Sequence, residues 1–183
     1  TQPLHGVISI DGGGRSLTYR PLSNYAGPDS FSYTAQDVGG LTDQADVTLT
    51  VMNVNDPPVA VDDSFPVAED SAANELNPIG NDRDDDGDTL TLTAVGSSTN
   101  GAISIVNNRL HYSPTFNFTG TETFTYTVSD GFQSSDGTIT VQVTPVQDEP
   151  VADGDSYRVA QNGVDIPLNV TANDVDPDGD TLT

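Results

Sequence analysis

Residues 122–143 read ETFTYTVSDGFQSSDGTITVQV. Two alternating runs, ETFTYTV (122–128) and GTITVQV (137–143), flank a stretch built mainly from Ser, Asp and Gly. A β-strand sends successive side chains to opposite faces, so Phe124, Tyr126 and Val128 share one face. The polar stretch between the runs reverses the chain and leaves Asp130 and Asp136 at a hairpin end. The pattern predicts two strands with one apolar face, and it assigns Phe124, Tyr126 and Val128 to a core.

The same short period continues outward through TLTLTAV (89–95), AISIV (102–106) and RLHY (109–112). Between the last two, Val106-Asn107-Asn108-Arg109 reads as a tight hairpin, because Asn tolerates the positive φ such turns require. Six or seven short strands in about 92 residues, with turn signals at regular spacing, predict an all-β fold: a Greek-key β-sandwich of immunoglobulin-like size. The Cys-Trp-Cys signature of antibody domains is missing, since the chain has neither Cys nor Trp.

The sequence also repeats itself. DRDDDGDTLT (82–91) and DVDPDGDTLT (174–183) agree at eight of ten positions, 92 residues apart. The same offset pairs VDDSFPVAED (61–70) with DGDSYRVAQN (153–162), and an offset of 93 pairs YRPLSNYAGPDSFSYTAQD (19–37) with YSPTFNFTGTETFTYTVSD (112–130). By this correspondence Phe31, Tyr33 and Ala35 are also expected to be core. The repeat divides the chain into 1–56, the C-terminal part of one unit; 57–148, a complete unit; and 149–183, the N-terminal part of the next. Such a phase suits an excerpt of a longer periodic protein, and equally a subunit whose ends complete a neighbour's sheet.

Charge narrows the function. Twenty-eight acidic residues face five arginines and no lysine, a formal charge of −23 over 183 residues. Phosphate backbones would be repelled, which excludes nucleic acid as a partner; divalent cations would be attracted. Without cysteine there is no disulfide, and without lysine no Lys–Asn isopeptide bond, so bound metal is the remaining brace for small β units. No run of 18 or more apolar residues is present to span a membrane.

The candidate metal ligands are the clustered aspartates Asp82, Asp84, Asp86 and Asp88, with Gly87 between the last two, and their copies Asp174, Asp176, Asp178 and Asp180 with Gly179. Carboxylates at alternate positions ahead of a glycine turn can direct oxygens onto one hard cation that takes six to eight of them. An EF-hand is excluded because its position 12 is Thr93 rather than Glu. The remaining readings are a calcium loop that borrows ligands from elsewhere and a solvated acidic turn.

Taken together, NDPPVAVDDSF, VAED, NDRDDDGDTLT, the His-Gly and Asn-Gly pairs before strands, YSPTFNFTGTETFTYTVSDG and TVQVTPVQDEPVA resemble the bacterial cadherin-like, immunoglobulin-like repeats of large secreted adhesins and surface proteins. The resemblance implies tandem extracellular β-sandwiches that bind calcium and act as extenders or filament elements in adhesion, with neighbouring repeats as partners. Asn53, Asn55, Asp56, Pro57 and Pro58 resemble the oxygen-rich linker by which cadherins chelate calcium, and Glu69 resembles the glutamate recruited there. At the following junction Gln147, Gln161 and Asn162 replace Asn55, Glu69 and Asp70, which weakens the expected site. Asp130 is read either as a further oxygen donor or as the cap of its own turn.

Two alternatives accompany the structural reading. One is a self-assembling filament subunit, a homopolymer whose terminal half-repeats complete neighbouring copies. The other is a carbohydrate-binding module engaging a glycan or cell-surface partner through Tyr25, Phe116 and Phe118, against which the same aromatics could simply close the end of a sandwich. Catalysis is not expected: His5 and His111 lack a nucleophile motif and are read as surface residues, and DGGGR lacks the residues of a phosphate loop.

Overall fold

A computed structural model describes all 183 residues. The chain forms two compact units: Thr1–Pro57 with Asp84–Asp88, and Pro58–Arg83 with Thr89–Thr183.

The second unit contains seven strands: β5 (Asp63–Ala68), β6 (Asn74–Leu76), β7 (Thr91–Val95), β8 (Gly101–Val106), β9 (Arg109–Pro114), β10 (Gly120–Ser129) and β11 (Ser134–Thr144). One sheet runs β5-β11-β10-β7 and the other β6-β9-β8. Both sheets supply the core: Val67, Leu92, Phe124, Tyr126, Val128, Ile139, Val141 and Val143 from the first, Leu76, Leu110 and Tyr112 from the second. The expected face of Phe124, Tyr126 and Val128 is therefore buried. The tight hairpin is present too, with Val106 opposite Arg109 and both Asn107 and Asn108 at positive φ (51° and 62°).

Strands β5 and β6 are not among the runs named from the sequence. β5 carries Pro66, which has no N–H to offer a ladder, and β6 is only three residues long. The sheet accommodates the proline by placing β5 at an edge, parallel to β11.

The first unit contains β1 (Gly6–Ile10), β2 (Leu17–Pro21), β3 (Gly27–Gln36) and β4 (Thr42–Val51), paired as β1-β2 and β3-β4. Its hairpins reproduce those of the second unit: Phe31 faces Val47 as Phe124 faces Ile139, and Ile10 faces Leu17 as Ile105 faces Leu110. One expectation fails here. Phe31 is buried, but Tyr33 and Ala35 are exposed. Their equivalents Tyr126 and Val128 lie in a strand flanked by β7 in a seven-stranded sandwich, whereas the first unit has only four strands.

His5 is half-buried rather than fully exposed. Its backbone N–H donates to Oδ2 of Asp29 at 3.0 Å, and its ring stacks on Tyr25 with centroids 4.0 Å apart. His111 sits half-buried, 4.0 Å from Glu75.

Candidate metal centre

Each acidic loop is built from its own backbone. Asp84 Oδ1 accepts the N–H groups of Asp86 (2.9 Å) and Asp88 (3.2 Å), and Gly87 completes the turn at φ 78°. That φ is costly for residues with a Cβ, which accounts for glycine at this place. The second loop is constructed alike: Asp176 Oδ1 accepts from Asp178 (3.0 Å) and Asp180 (3.2 Å), with Gly179 again at φ 78°.

Each loop is also tied to a proline-flanked linker. The Asp56 N–H donates to Oδ2 of Asp86 at 2.7 Å, and the Asp148 N–H donates to Oδ2 of Asp178 at 2.7 Å. Just beyond, Val59 and Arg83 form an isolated antiparallel bridge that Val151 and Val175 repeat. The first loop aspartates act as anchors: Asp82 Oδ1 accepts the Val61 N–H at 2.8 Å, and Asp174 Oδ1 accepts the Asp153 N–H at 2.9 Å. Every one of these contacts recurs 92 residues on.

Two groups of carboxylates result, each with ligand oxygens within 4.8 Å of one another: Asp84, Asp86 and Asp88, and separately Glu69, Asp148 and Asp178. The first consists wholly of expected residues. The second unites Glu69 and Asp178 with Asp148, which was not among the expected ligands although its alignment with Asp56 marks it. Gln147 reaches both Asp178 and Asp180 through Nε2, at 2.9 Å each. Burial first, then the charges of Asp70, Asp178, Glu69 and Asp176, push the Asp148 carboxyl up.

Other candidates make hydrogen bonds within the chain. Asp82 also accepts the Tyr126 hydroxyl at 2.8 Å, and Asp130 Oδ1 accepts the N–H groups of Phe132 and Gln133 at 2.6 Å each within its own turn. Asn55 Nδ2 donates to the Asp56 carbonyl at 3.0 Å.

The donor set suits a hard cation, being made of carboxylate oxygens without sulfur or imidazole. Buried oxygens point the same way: Oδ2 of Asp84, Asp82 and Asp63 are each shielded from solvent with no hydrogen-bond partner. Such groups are costly unless something compensates them. Asp63 carries the cost visibly, as burial and then the neighbouring Asp82 charge push its carboxyl up to about 6.

The model of the bacterial Ig domain family matches residues 1–50 and again 55–144. The chain belongs to that family. No curated protein matches it in sequence. Among solved structures, this bacterial Ig-domain chain is similar to the endo-fucoidan hydrolase MfFcnA4 of glycoside hydrolase family 107 (27% identity, TM-score 0.36, covering 83% of this chain and 25% of that one). It is also similar to extracellular cadherin domains 1–5 of protocadherin gamma B2 (13%, 0.45, 84% and 34%) and to the EC3–6 cis-dimer structure of protocadherin gammaB7 (15%, 0.43, 86% and 44%). The bacterial Ig-domain chain thus spans a quarter of the hydrolase and less than half of either protocadherin chain.

A second polar feature of these Ig domains escaped the sequence reading. In each unit a buried carboxylate gathers a tyrosine hydroxyl and two backbone N–H groups. Glu122 accepts from Tyr112 (2.8 Å), Asn100 (2.9 Å) and Thr99; Asp29 accepts from Tyr19 (2.8 Å), Leu4 (3.1 Å) and His5 (3.0 Å). A glycine opens each strand at this place because a Cβ on Gly6 or Gly101 would overlap the tyrosine ring. Burial and then the bond to Asp29 push the Tyr19 phenol up to about 12.

The aromatics considered for sugar stacking separate in the structure. Tyr25 stacks on His5 and donates to the Pro28 carbonyl at 2.6 Å, Phe118 packs against the core, and Phe116 is exposed. No helix is long and apolar enough to cross a membrane.

Proposed function

We propose that this chain is a calcium-stiffened extracellular structural repeat, an extender or fibre element of a bacterial adhesin or surface protein. One observation carries the reading: the arrangement of linker aspartate, glycine turn and alternating aspartates is built twice, contact for contact, 92 residues apart. A device that recurs at the period of the repeat suits a structural role that every repeat shares.

Asp84, Asp86 and Asp88, with Asp56 beside them, would hold one cation; Glu69, Asp148 and Asp178 would hold another. Calcium there would neutralise carboxylates that otherwise repel one another. The chain's own residues supply the mechanics. Asp56 and Asp148 fasten their linkers to the loops, and Pro57, Pro58 and Pro150 limit the backbone freedom that remains. A cation that binds the folded state alone stabilises it by about 2.7 kcal/mol at a hundredfold excess over its dissociation constant.

Scanning calorimetry of the chain in millimolar calcium and in chelator tests this. The melting temperature is expected to rise with calcium and return with chelator. A melting curve indifferent to both overturns the proposal.

A further inference from the structure

Strands β5 and β11 run parallel, from Asp63 opposite Ile139 to Ala68 opposite Thr144. The chain enters β5 at one end of this pair and leaves β11 at the other. Tension along the chain therefore draws the two strands lengthwise past each other. All rungs of the ladder share that load, whereas a pull applied to both strands at one end would open the rungs one after another.

Hydrogen bonds continue the pairing beyond both strand ends. Ahead of β5, the Ser135 hydroxyl donates to the Pro58 carbonyl, and the Thr138 N–H donates to Oδ1 of Asp62 at 2.8 Å. Behind it, the Glu69 N–H donates to the Thr144 carbonyl at 2.9 Å, and Glu69 Oε1 accepts the Val146 N–H at 2.7 Å. Glu69 is only 4% exposed, which limits the competition of water for these bonds. Pro66 does not interrupt the series. Alternate residues of a strand turn their N–H groups to the same side, so with the Glu69 N–H directed at Thr144, those of Val67, Phe65 and Asp63 face β11 as well. The N–H that Pro66 lacks falls on the open edge, where no rung is lost.

We propose that β5 and β11 form a load-bearing clamp and that Glu69 latches its C-terminal end. Tension arriving from β11's end of the chain meets the two Glu69 bonds first, because Val146 and Thr144 are the partners nearest to where the chain leaves the pair. The latch is a second use of Glu69, made through the Val146 N–H and independent of any ligand role. The inference takes the source of the tension from the extender reading, while the clamp itself needs no cation.

The chain has no cysteine, so introduced pairs fix where force is applied. Constant-force single-molecule measurements in chelator compare two attachments of the full chain. Val54→Cys with Glu149→Cys loads the clamp lengthwise, and Ala72→Cys with Glu149→Cys pulls at one end of it; all three positions are exposed. The lengthwise attachment is expected to survive longer at equal force. In that geometry Glu69→Ala is expected to shorten the lifetime about tenfold, the equivalent of one hydrogen bond to a charged group. Glu69→Gln keeps an acceptor oxygen for the Val146 N–H and loses only the charge, so it should last at least as long as the wild type. Equal lifetimes in the two geometries overturn the clamp. An unaltered lifetime in Glu69→Ala, or a Glu69→Gln chain as short-lived as Glu69→Ala, overturns the latch. A melting curve indifferent to calcium would defeat the cation sites and leave these measurements decisive, since they are made without calcium.

Discussion

The Tyr112 hydroxyl donates to Oε2 of Glu122 at 2.8 Å, and 93 positions earlier Tyr19 makes the same bond to Asp29, also at 2.8 Å. The carboxylate differs in length between the two units while the function of the contact is kept. Each one holds the backbone N–H groups that lead into the next strand, so the contact joins a loop to the sheet rather than two side chains to each other.

Tyr112→Phe is expected to lower stability by about 1.5–3 kcal/mol, the range for a hydrogen bond to a charged group. Glu122→Ala should cost more, because it strands the N–H groups of Thr99 and Asn100 along with the phenol. Urea unfolding measures both, and an alanine variant milder than the phenylalanine one would refute this account.

The same carboxylate sets a pH dependence. Burial raises the Glu122 pKa, but the N–H groups of Asn100 and Thr99 and the hydroxyls of Tyr112 and Ser98 outweigh it and hold the group below its ordinary 4.5. A folded-state value below the unfolded one means that the contribution is complete above 4.5 and is lost as pH falls through the folded value. The stability gap between the wild-type chain and Glu122→Gln should therefore be constant near neutrality and narrow in acid. A gap that stays unchanged however far the pH is lowered while the chain remains folded would contradict the assignment.

Gly101→Ala tests the close approach of backbone and ring. The added Cβ would lie 2.7 Å from the Ser113 carbonyl oxygen and from the Tyr112 ring. The expected loss is about 1–3 kcal/mol, as for overpacking in a tight core. Unchanged melting would show that Tyr112 can move aside.

The two acidic groups should lose cation binding independently. Asp86→Asn removes a charge from the group it forms with Asp84 and Asp88, and Asp178→Asn removes one from the group with Glu69 and Asp148. Titration calorimetry should show each variant lacking one calcium event and retaining the other. Loss of both events in either single variant would mean one coupled site.

Alternation and repetition settle much of this protein in advance. The strands β7 to β11, the Asn107-Asn108 turn and the buried face of Phe124, Tyr126 and Val128 follow from a period of two interrupted by turn residues, which is a local property. The 92-residue offset likewise pairs Asp84, Asp86 and Asp88 with Asp176, Asp178 and Asp180 on sequence alone.

Tertiary structure alone decided the rest. Pro66 hides β5 from any local rule, and only the free edge of a sheet makes it a strand. Asp148 joins Glu69 and Asp178 across 79 and 30 positions of sequence, a grouping that chain spacing does not encode. Tyr33 and Tyr126 occupy equivalent places in equivalent hairpins, yet one is exposed and the other buried, because burial depends on which strands lie alongside. Periodicity states which face of a strand can be covered; packing determines whether it is.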